Sequence, residues 1–353
     1  MLTPDFKHDE LCQSLWEAMA EFRAGDRFFS VRHIMQTYGV SQSTATKAIN
    51  RFRREGLLEK KSNLGFIVST AFEACALTED PPLLLLVPDW PSSEKVLLEA
   101  LVEEARQSGE FGTILVHEYT TRDGIPDRLP LIGSGAAGVI VIPASGVSLV
   151  EGLQMESYEV PLIVQGCDLT GLGLCSVAVD NHLAGNMAAH YMQKAGHRHI
   201  VVVISEPHNS AIMDRTHGVL NYLSLQERVT CSVLDCEVRS GEMATEKTYN
   251  RFAAALDNGF DATAIICVSG ESAQGILSAC ANHGMRVPED LSVLAIASDA
   301  LTGTYAPPLT TIAVHFDEQL KTAMRLLREK ASGIADGLFY PISPSIIERN
   351  SVA

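Results

Sequence analysis

The chain has 353 residues, 46% hydrophobic and 20% charged, the composition of an ordinary globular protein with enough length for two or three domains. Its formal charge is −16, which taken as a whole argues against a nucleic-acid partner. Met1 to Glu10 is polar and acidic, unlike a signal peptide, and apolar runs such as Leu83 to Val87 are far too short to span a membrane. The eight cysteines are scattered without CxxC pairs, as thiols are in a reducing compartment, so a cytoplasmic location is expected, with no metal and no cofactor.

The charge is unevenly distributed. Residues 1–70 hold ten Lys/Arg and eight Asp/Glu, leaving 17 and 35 for the remainder. Within 23–68 nine basic residues face three acidic ones. A compact basic segment joined to an acidic body fits a nucleic-acid-binding head on a separate sensor, although a solvated basic helix face would look the same by charge alone.

Leu11, Leu15, Trp16, Met19 and Phe22 share a helical stripe that predicts a helix over Leu11–Phe22, ended by Gly25 and Asp26. Ser30 caps a second helix, Val31–Tyr38, and Gly39 supplies a left-handed residue at its end. Ser41 then caps a third helix, which buries Ala45, Ala48, Ile49 and Phe52 and exposes Gln42, Ser43, Thr44, Thr46, Lys47, Asn50 and Arg51. A helix, a Gly turn and a helix with short polar residues on its first turn form a helix-turn-helix, because such a helix enters the major groove N-terminus first. Ser41, Gln42, Ser43, Thr44 and Thr46 are therefore candidates for reading bases, and Lys47 and Arg51 for phosphates. Glu55-Gly56-Leu57-Leu58 leads into a two-stranded wing, with Lys60 and Lys61 near its tip.

Residues 20–68 resemble the winged helix-turn-helix of the gluconate-repressor (GntR) family through Gly25, Ser30, Arg32, Gly39-Val40-Ser41, Thr44, Ala48, Glu55-Gly56-Leu57-Leu58, Gly65 and Val68. The resemblance implies DNA contact by Arg32, and Ser30 beside it is also a candidate for DNA contact. Two departures stand out: Phe28-Phe29 occupy the place of a common Leu-Pro, and Gln42 and Thr46 replace frequent arginines.

Thr70 to Pro82 reads as a linker, and from Leu83 apolar strands alternate with amphipathic helices in two successive rounds. The expected fold class is α/β: two doubly wound parallel-sheet subdomains with a ligand cleft at the strand C-terminal ends, plus a small N-terminal winged helix-turn-helix. Val179-Asp180-Asn181, the turn at Ala195–Ile200, Arg215 with Gly218, Gly284–Val293, Ser298-Asp299, Pro307–Ile312 and Ile346–Arg349 narrow this further. Their order resembles the effector domain of the lactose-repressor (LacI) family, which is related to periplasmic sugar-binding proteins, and the pairing with a GntR-like head resembles arabinose-repressor-type regulators. The expected division is head 1–70, linker 71–82 and effector domain 83–350. Within the effector domain one subdomain takes 83–177 and 305–330 and the other 178–304 and 331–350. The resemblance implies crossovers near 176–179, near 300–308 and after the 317–330 helix.

It also implies that Arg215 and Asp299 meet ligand hydroxyls, the alternatives being a surface salt bridge and a helix cap. Trp90 is placed to stack on a sugar ring or simply to pack, and Asp89 and Gln165 share that rim. Ser269-Gly270 stands where the family has Asn-Asp, so either Glu271 compensates or the ligand is not a common hexose.

Gly133 to Gly138 spells GxGxxG but precedes its strand, so no helix N-terminus follows to hold a pyrophosphate. His197-Arg198-His199 lies on a helix-to-strand turn without nearby ligands, and a structural role is expected. No nucleophile elbow, Walker A loop or HExxH helix occurs, so no enzyme is expected. The expected function is a DNA-binding transcription regulator, by family default a repressor, acting as a homodimer on double-stranded operator DNA. Its effector would be a small molecule, a mono- or oligosaccharide. The alternative is a periplasmic-type solute-binding protein with no DNA role.

Overall fold

A computed structural model describes residues 4–61, 65–69, 72, 81–89, 93–120, 124–126, 129, 136–144, 147–156, 158, 160–239, 241–329 and 338–353. The head begins with α1 (Pro4–Met19), which starts earlier and ends sooner than its apolar stripe suggested and buries Leu11, Leu15 and Met19. In α2 (Val31–Tyr38) the Ser30 side chain accepts from the His33 amide, and Gly39 closes the helix at φ 63°. In α3 (Gln42–Arg54) Ser41 accepts from the Thr44 amide. Both caps satisfy amides that a helix start leaves without partners. β1 (Leu58–Lys61) and β2 (Gly65–Val68) pair antiparallel as the wing. The Phe28-Phe29 departure has a packing reason. Phe28 is buried, meets Phe22 edge-on at 5.2 Å and stacks over Phe52 at 6.2 Å, so aromatic packing holds the turn before α2.

The first large sheet contains β3 (Leu83–Pro88), β4 (Ile114–Tyr119), β5 (Gly138–Val141), β6 (Leu162–Gln165), β7 (Cys175–Val179) and β13 (Phe339–Ile342), in the order β13-β7-β6-β5-β3-β4 and all parallel. Its inner strands β3 and β5 are continuous buried apolar runs because a parallel sheet is covered on both faces. Helices α4 (Ser93–Ser108) and α11 (Phe316–Glu329) cover one face through Leu98, Val102, Leu320, Met324 and Leu327. Met155 of α5 (Leu149–Glu156) packs with Leu84, Leu86 and Val139 on the other face.

The second sheet contains β8 (His199–Ile204), β9 (Thr230–Asp235), β10 (Ala264–Cys267), β11 (Ser292–Ala297), β12 (Thr310–Ala313) and β14 (Ser345–Ile347). Its order is β14-β12-β11-β10-β8-β9, parallel except for β14. α6 (Asn181–Lys194) and α7 (Ser210–Ser224) lie on one face, and α8 (Ala244–Asp257) and α9 (Gly270–Asn282) on the other. A short α10 (Asp299–Thr302) follows β11.

The expected two-sheet architecture is present, but two boundaries inside it move. Residues 305–313 do not join the first subdomain, because β12 hydrogen-bonds β11 in the second sheet. Residues 339–342 do not join the second, because β13 pairs with β7 in the first. The chain thus crosses at 180, at 314–315 and at 343–344. The second crossover lies after β12 rather than near 300–308, since a strand belongs to whichever sheet completes its hydrogen bonds. The expected short helix near 125–132 and the wing tip at 62–63 lie largely outside the described residues, as do linker residues 73–80 and Gly133–Gly135 of the GxGxxG run. Among the described residues, no helix is long and apolar enough to cross a membrane.

Glycine brings α6 and α7 together. A Cβ on Gly185 would stand 2.1 Å from the Arg215 carbonyl oxygen, and one on Gly218 2.3 Å from that of His182. Gly185→Ala is expected to cost about 1–3 kcal/mol in urea unfolding, because the obstacle is backbone that cannot rotate away. A second expectation concerns acid. Burial lowers the pKa of His117, on β4, to about 4. The unfolded chain then takes up a proton that the folded chain refuses, so stability is full above about pH 6.5 and falls as the pH drops towards 4. Allowing for partial solvent screening, the loss is on the order of 2 kcal/mol. Unfolding free energies measured from pH 7 to 4 should show a shallower decline in His117→Leu than in the parent.

Candidate functional site

Two sites emerge, one on the head and one between the sheets. On the head, Gln42, Ser43, Thr46, Lys47 and Asn50 of α3 are exposed together, with Arg32 of α2 and Lys60 and Lys61 of the wing also in solvent. The buried Ala45, Ala48, Ile49 and Phe52 hold the opposite side of α3 in the head core. Ser30, Ser41 and Thr44 have work within the fold. Ser30 and Ser41 cap their helices, and Ser41 Oγ lies 2.8 Å from Thr44 Oγ1. Arg51 is folded back onto its own helix, with Nε 2.9 Å from Glu55 Oε1, which makes it a weaker phosphate candidate than Lys47.

Between the sheets, strand C-terminal ends from both subdomains surround a cavity of about 160 Å³. The first subdomain and its crossover contribute Gln165, Cys167, Phe316 and Gln319, and the second contributes Glu206, Asn209, Arg215, Ser269 and Glu271. Arg215 is fixed by its neighbours. Its Nε donates to Asn181 Oδ1 at 2.8 Å, and its Nη1 to the carbonyls of Val268 at 2.8 Å and Ile296 at 3.4 Å. Asn209 and Ser269 cap α7 and α9, accepting from the amides of Ile212 and Ser272. Loops at strand ends followed by helix starts repeat around the cavity, as parallel α/β sheets require.

The crossover itself forms part of the wall. Gln319 Nε2 donates to Val314 O at 2.6 Å, and Gln165 Nε2 lies 3.5 Å from Phe316 O. His315 between them has φ 45°, and its Nε2 lies 2.7 Å from Ser345 Oγ, which joins the second crossover to the third.

Of the effector residues expected from sequence, Gln165, Arg215, Ser269 and Glu271 meet at the cavity. Asp299 does not. It starts α10, and its carboxylate lies 3.6 Å from the Arg349 guanidinium, a partner supplied by the strand end after β14. Asp89 is exposed and absent from the lining, its amide donating to Tyr119 O; Trp90 lies outside the described residues. Glu206, Asn209 and Gln319 were missed. The first two had a readable signal, a polar loop at the end of an apolar strand. Gln319, one turn into α11, had none, because a helix-face pattern does not say which helix crosses back to roof a cavity. At the helix-to-strand turn, His197 Nδ1 lies 3.0 Å from Thr263 Oγ1, and His199 Nδ1 lies 3.4 Å from Asp261 Oδ1.

Residues 9–68 match the family described as bacterial regulatory proteins, gntR family, and residues 189–352 match the periplasmic binding protein-like domain. The chain joins a gntR-family head to a periplasmic-binding-protein-like domain. Over 202 residues it is 27% identical to the HTH-type transcriptional repressor PurR of Salmonella paratyphi B, covering 56% of this chain and 58% of that relative. The chain thus spans little more than half the length of the curated relatives it matches. The fold is also similar to that of solved structures. The Lac repressor dimer bound to operator and the anti-inducer ONPF superposes with a TM-score of 0.63 at 16% identity, over 81% of this chain and 99% of that one. A CcpA regulator from Weissella paramesenteroides with bound sucrose gives 0.58 at 19% identity, over 77% and 98%. These two likenesses concern the fold alone.

Burial pushes the thiol of Cys167, on the cavity wall, up to about 12. Its thiolate fraction at pH 8 falls roughly a thousandfold, so iodoacetamide should leave Cys167 unmodified in the folded chain. Peptide mapping by mass spectrometry checks this, with the unfolded chain as the reactive control.

Proposed function

We propose that the chain is a DNA-binding transcription regulator in which α3 reads the major groove of an operator and a small solute in the cleft controls that binding. The observation that carries the reading is the exposed polar N-terminal turn of α3, with Gln42, Ser43, Thr46 and Lys47 in solvent. The gntR-family match to the same residues supports it. In this reading Gln42, Ser43 and Thr46 meet base edges, while Arg32, Lys47, Lys60 and Lys61 meet phosphates. The function is regulatory and not enzymatic, located in the cytoplasm, with repression relieved or imposed by the solute.

The cavity of about 160 Å³ lies below the ~300–1,000 Å³ of sites for drug-sized ligands, which favours a solute of monosaccharide size over an oligosaccharide. A carbohydrate is the class proposed here, and the Weissella regulator of similar fold was solved with bound sucrose. Closure on the solute would turn one subdomain on the other about the three crossovers and alter the spacing of two heads in a homodimer. A coupling of about 1–3 kcal/mol suffices for a 5- to 150-fold change in operator affinity.

Fluorescence anisotropy tests the reading, using a duplex enriched from a random pool by the full-length chain. Affinity should fall steeply with salt, and Lys47→Ala should weaken binding to all sequences and reduce the salt slope by about 1. Gln42→Ala should instead relax sequence preference. Failure to enrich any duplex, or binding insensitive to salt, would favour a solute-binding protein without a DNA role.

A further inference from the structure

We infer that Ser269 meets the solute in the cleft as a hydrogen-bond donor and not as an acceptor, because two buried serines behind it fix the direction of its hydroxyl. This rests on the reading of the cleft as the effector site. It narrows the group that the solute presents there to an oxygen that accepts, in a sugar the oxygen of a ring hydroxyl.

Three hydroxyls form a chain at the start of α9. Ser205 Oγ is in hydrogen-bond contact with Ser272 Oγ, and Ser272 Oγ lies 2.9 Å from Ser269 Oγ. Three serines bring three protons to these two contacts, so one proton is left over whichever way the chain runs. Ser205 and Ser272 are wholly buried and do not line the cavity, and among the described residues neither hydroxyl has a further hydrogen-bond partner. A left-over proton on either would be a buried donor without an acceptor, which is destabilising and uncommon. Ser269 is the member of the chain that lines the cavity. The stable direction therefore runs outward, with Ser205 donating to Ser272 and Ser272 to Ser269, and the left-over proton belongs to Ser269.

That direction also occupies the Ser269 oxygen. It accepts from the Ser272 hydroxyl and from the Ser272 amide at 3.3 Å, one for each lone pair. What Ser269 can give the cavity is its O–H alone. Asn209 repeats the polarity. Its Oδ1 accepts from the Ile212 amide at 2.9 Å, which leaves the N–H donors of Nδ2 as its other polar group. Both residues line the cavity, and both are fixed by the helices they cap. A solute oxygen with a lone pair completes this wall, whereas an ammonium would set donor against donor.

The full-length chain is screened by its unfolding temperature against hexoses, pentoses and their methyl glycosides. In the sugar giving the largest shift, each hydroxyl is then replaced in turn by hydrogen, fluorine or an amine. At one position hydrogen should weaken binding roughly tenfold, because a donor on the protein loses its partner. Fluorine, which accepts but cannot donate, should recover part of that loss at the same position, and a protonated amine none of it. In Ser269→Ala the parent sugar should bind as weakly as the deoxy sugar binds the unaltered chain, and the deoxy sugar should lose nothing further. Ser269→Thr, which keeps both the hydroxyl and the helix cap, should restore the preference. Each shift is taken against the same variant without sugar, since Ser269→Ala also loses a cap. Recovery by the amine and not by fluorine makes Ser269 an acceptor and overturns the inference. Undiminished binding of the parent sugar by Ser269→Ala, or no hydroxyl coupled to Ser269, also overturns it, and all three results leave the cleft as an effector site. No shift with any sugar overturns the inference together with the carbohydrate reading of the cleft.

Discussion

The guanidinium of Arg215 donates to Asn181 Oδ1 and to the carbonyls of Val268 and Ile296, and so ties α6 and α7 to the ends of β10 and β11. Those carbonyls end parallel strands, where the ladder runs out and the oxygens would otherwise need water. A planar cation with several donors can serve them together, which a lysine ammonium would do with less directional order. The residue can occupy that place because its own backbone passes against Gly185, where no side chain intervenes. The helix crossing and the cleft wall therefore share one geometric condition, the close approach of α6 and α7.

The other wall has a similar economy. Crossover 314–315 links the two subdomains, and the carbonyls of Val314 and of Phe316 just after it meet the Nε2 groups of Gln319 and Gln165. His315 adopts a left-handed backbone there and reaches Ser345 across the neighbouring crossover. A non-glycine residue in this region of backbone space is uncommon and is held by its surroundings.

On the head, charge is managed by distance. The acidic remainder of the chain outweighs the basic segment in the total, yet exposed charges are screened beyond about 8–10 Å at physiological salt. A phosphate approaching Lys47, Lys60 and Lys61 responds mainly to that local surface. The head keeps its shape through its own core and caps, with the Phe22, Phe28 and Phe52 cluster standing in for the rigid turn that a proline would provide.

Much of this was legible in the residues because it depends on neighbours in the chain. Ser30, Gly39 and Ser41 act within a few positions of themselves, so their caps and turn could be read directly, as could the wing and the apolar runs of the parallel strands. Sheet membership of 310–313 and 339–342 could not, because a buried strand has the same pattern in either sheet and only its hydrogen-bond partner differs. Asp299 was drawn away by Arg349, and Gln319 was brought to the cavity by a helix that returns to the first subdomain. Short-range steric and hydrogen-bond rules settle the elements and the exposed face of α3. Which polar side chains share the cleft follows from long-range packing, since residues far apart in the chain become neighbours only when both sheets and all three crossovers are in place.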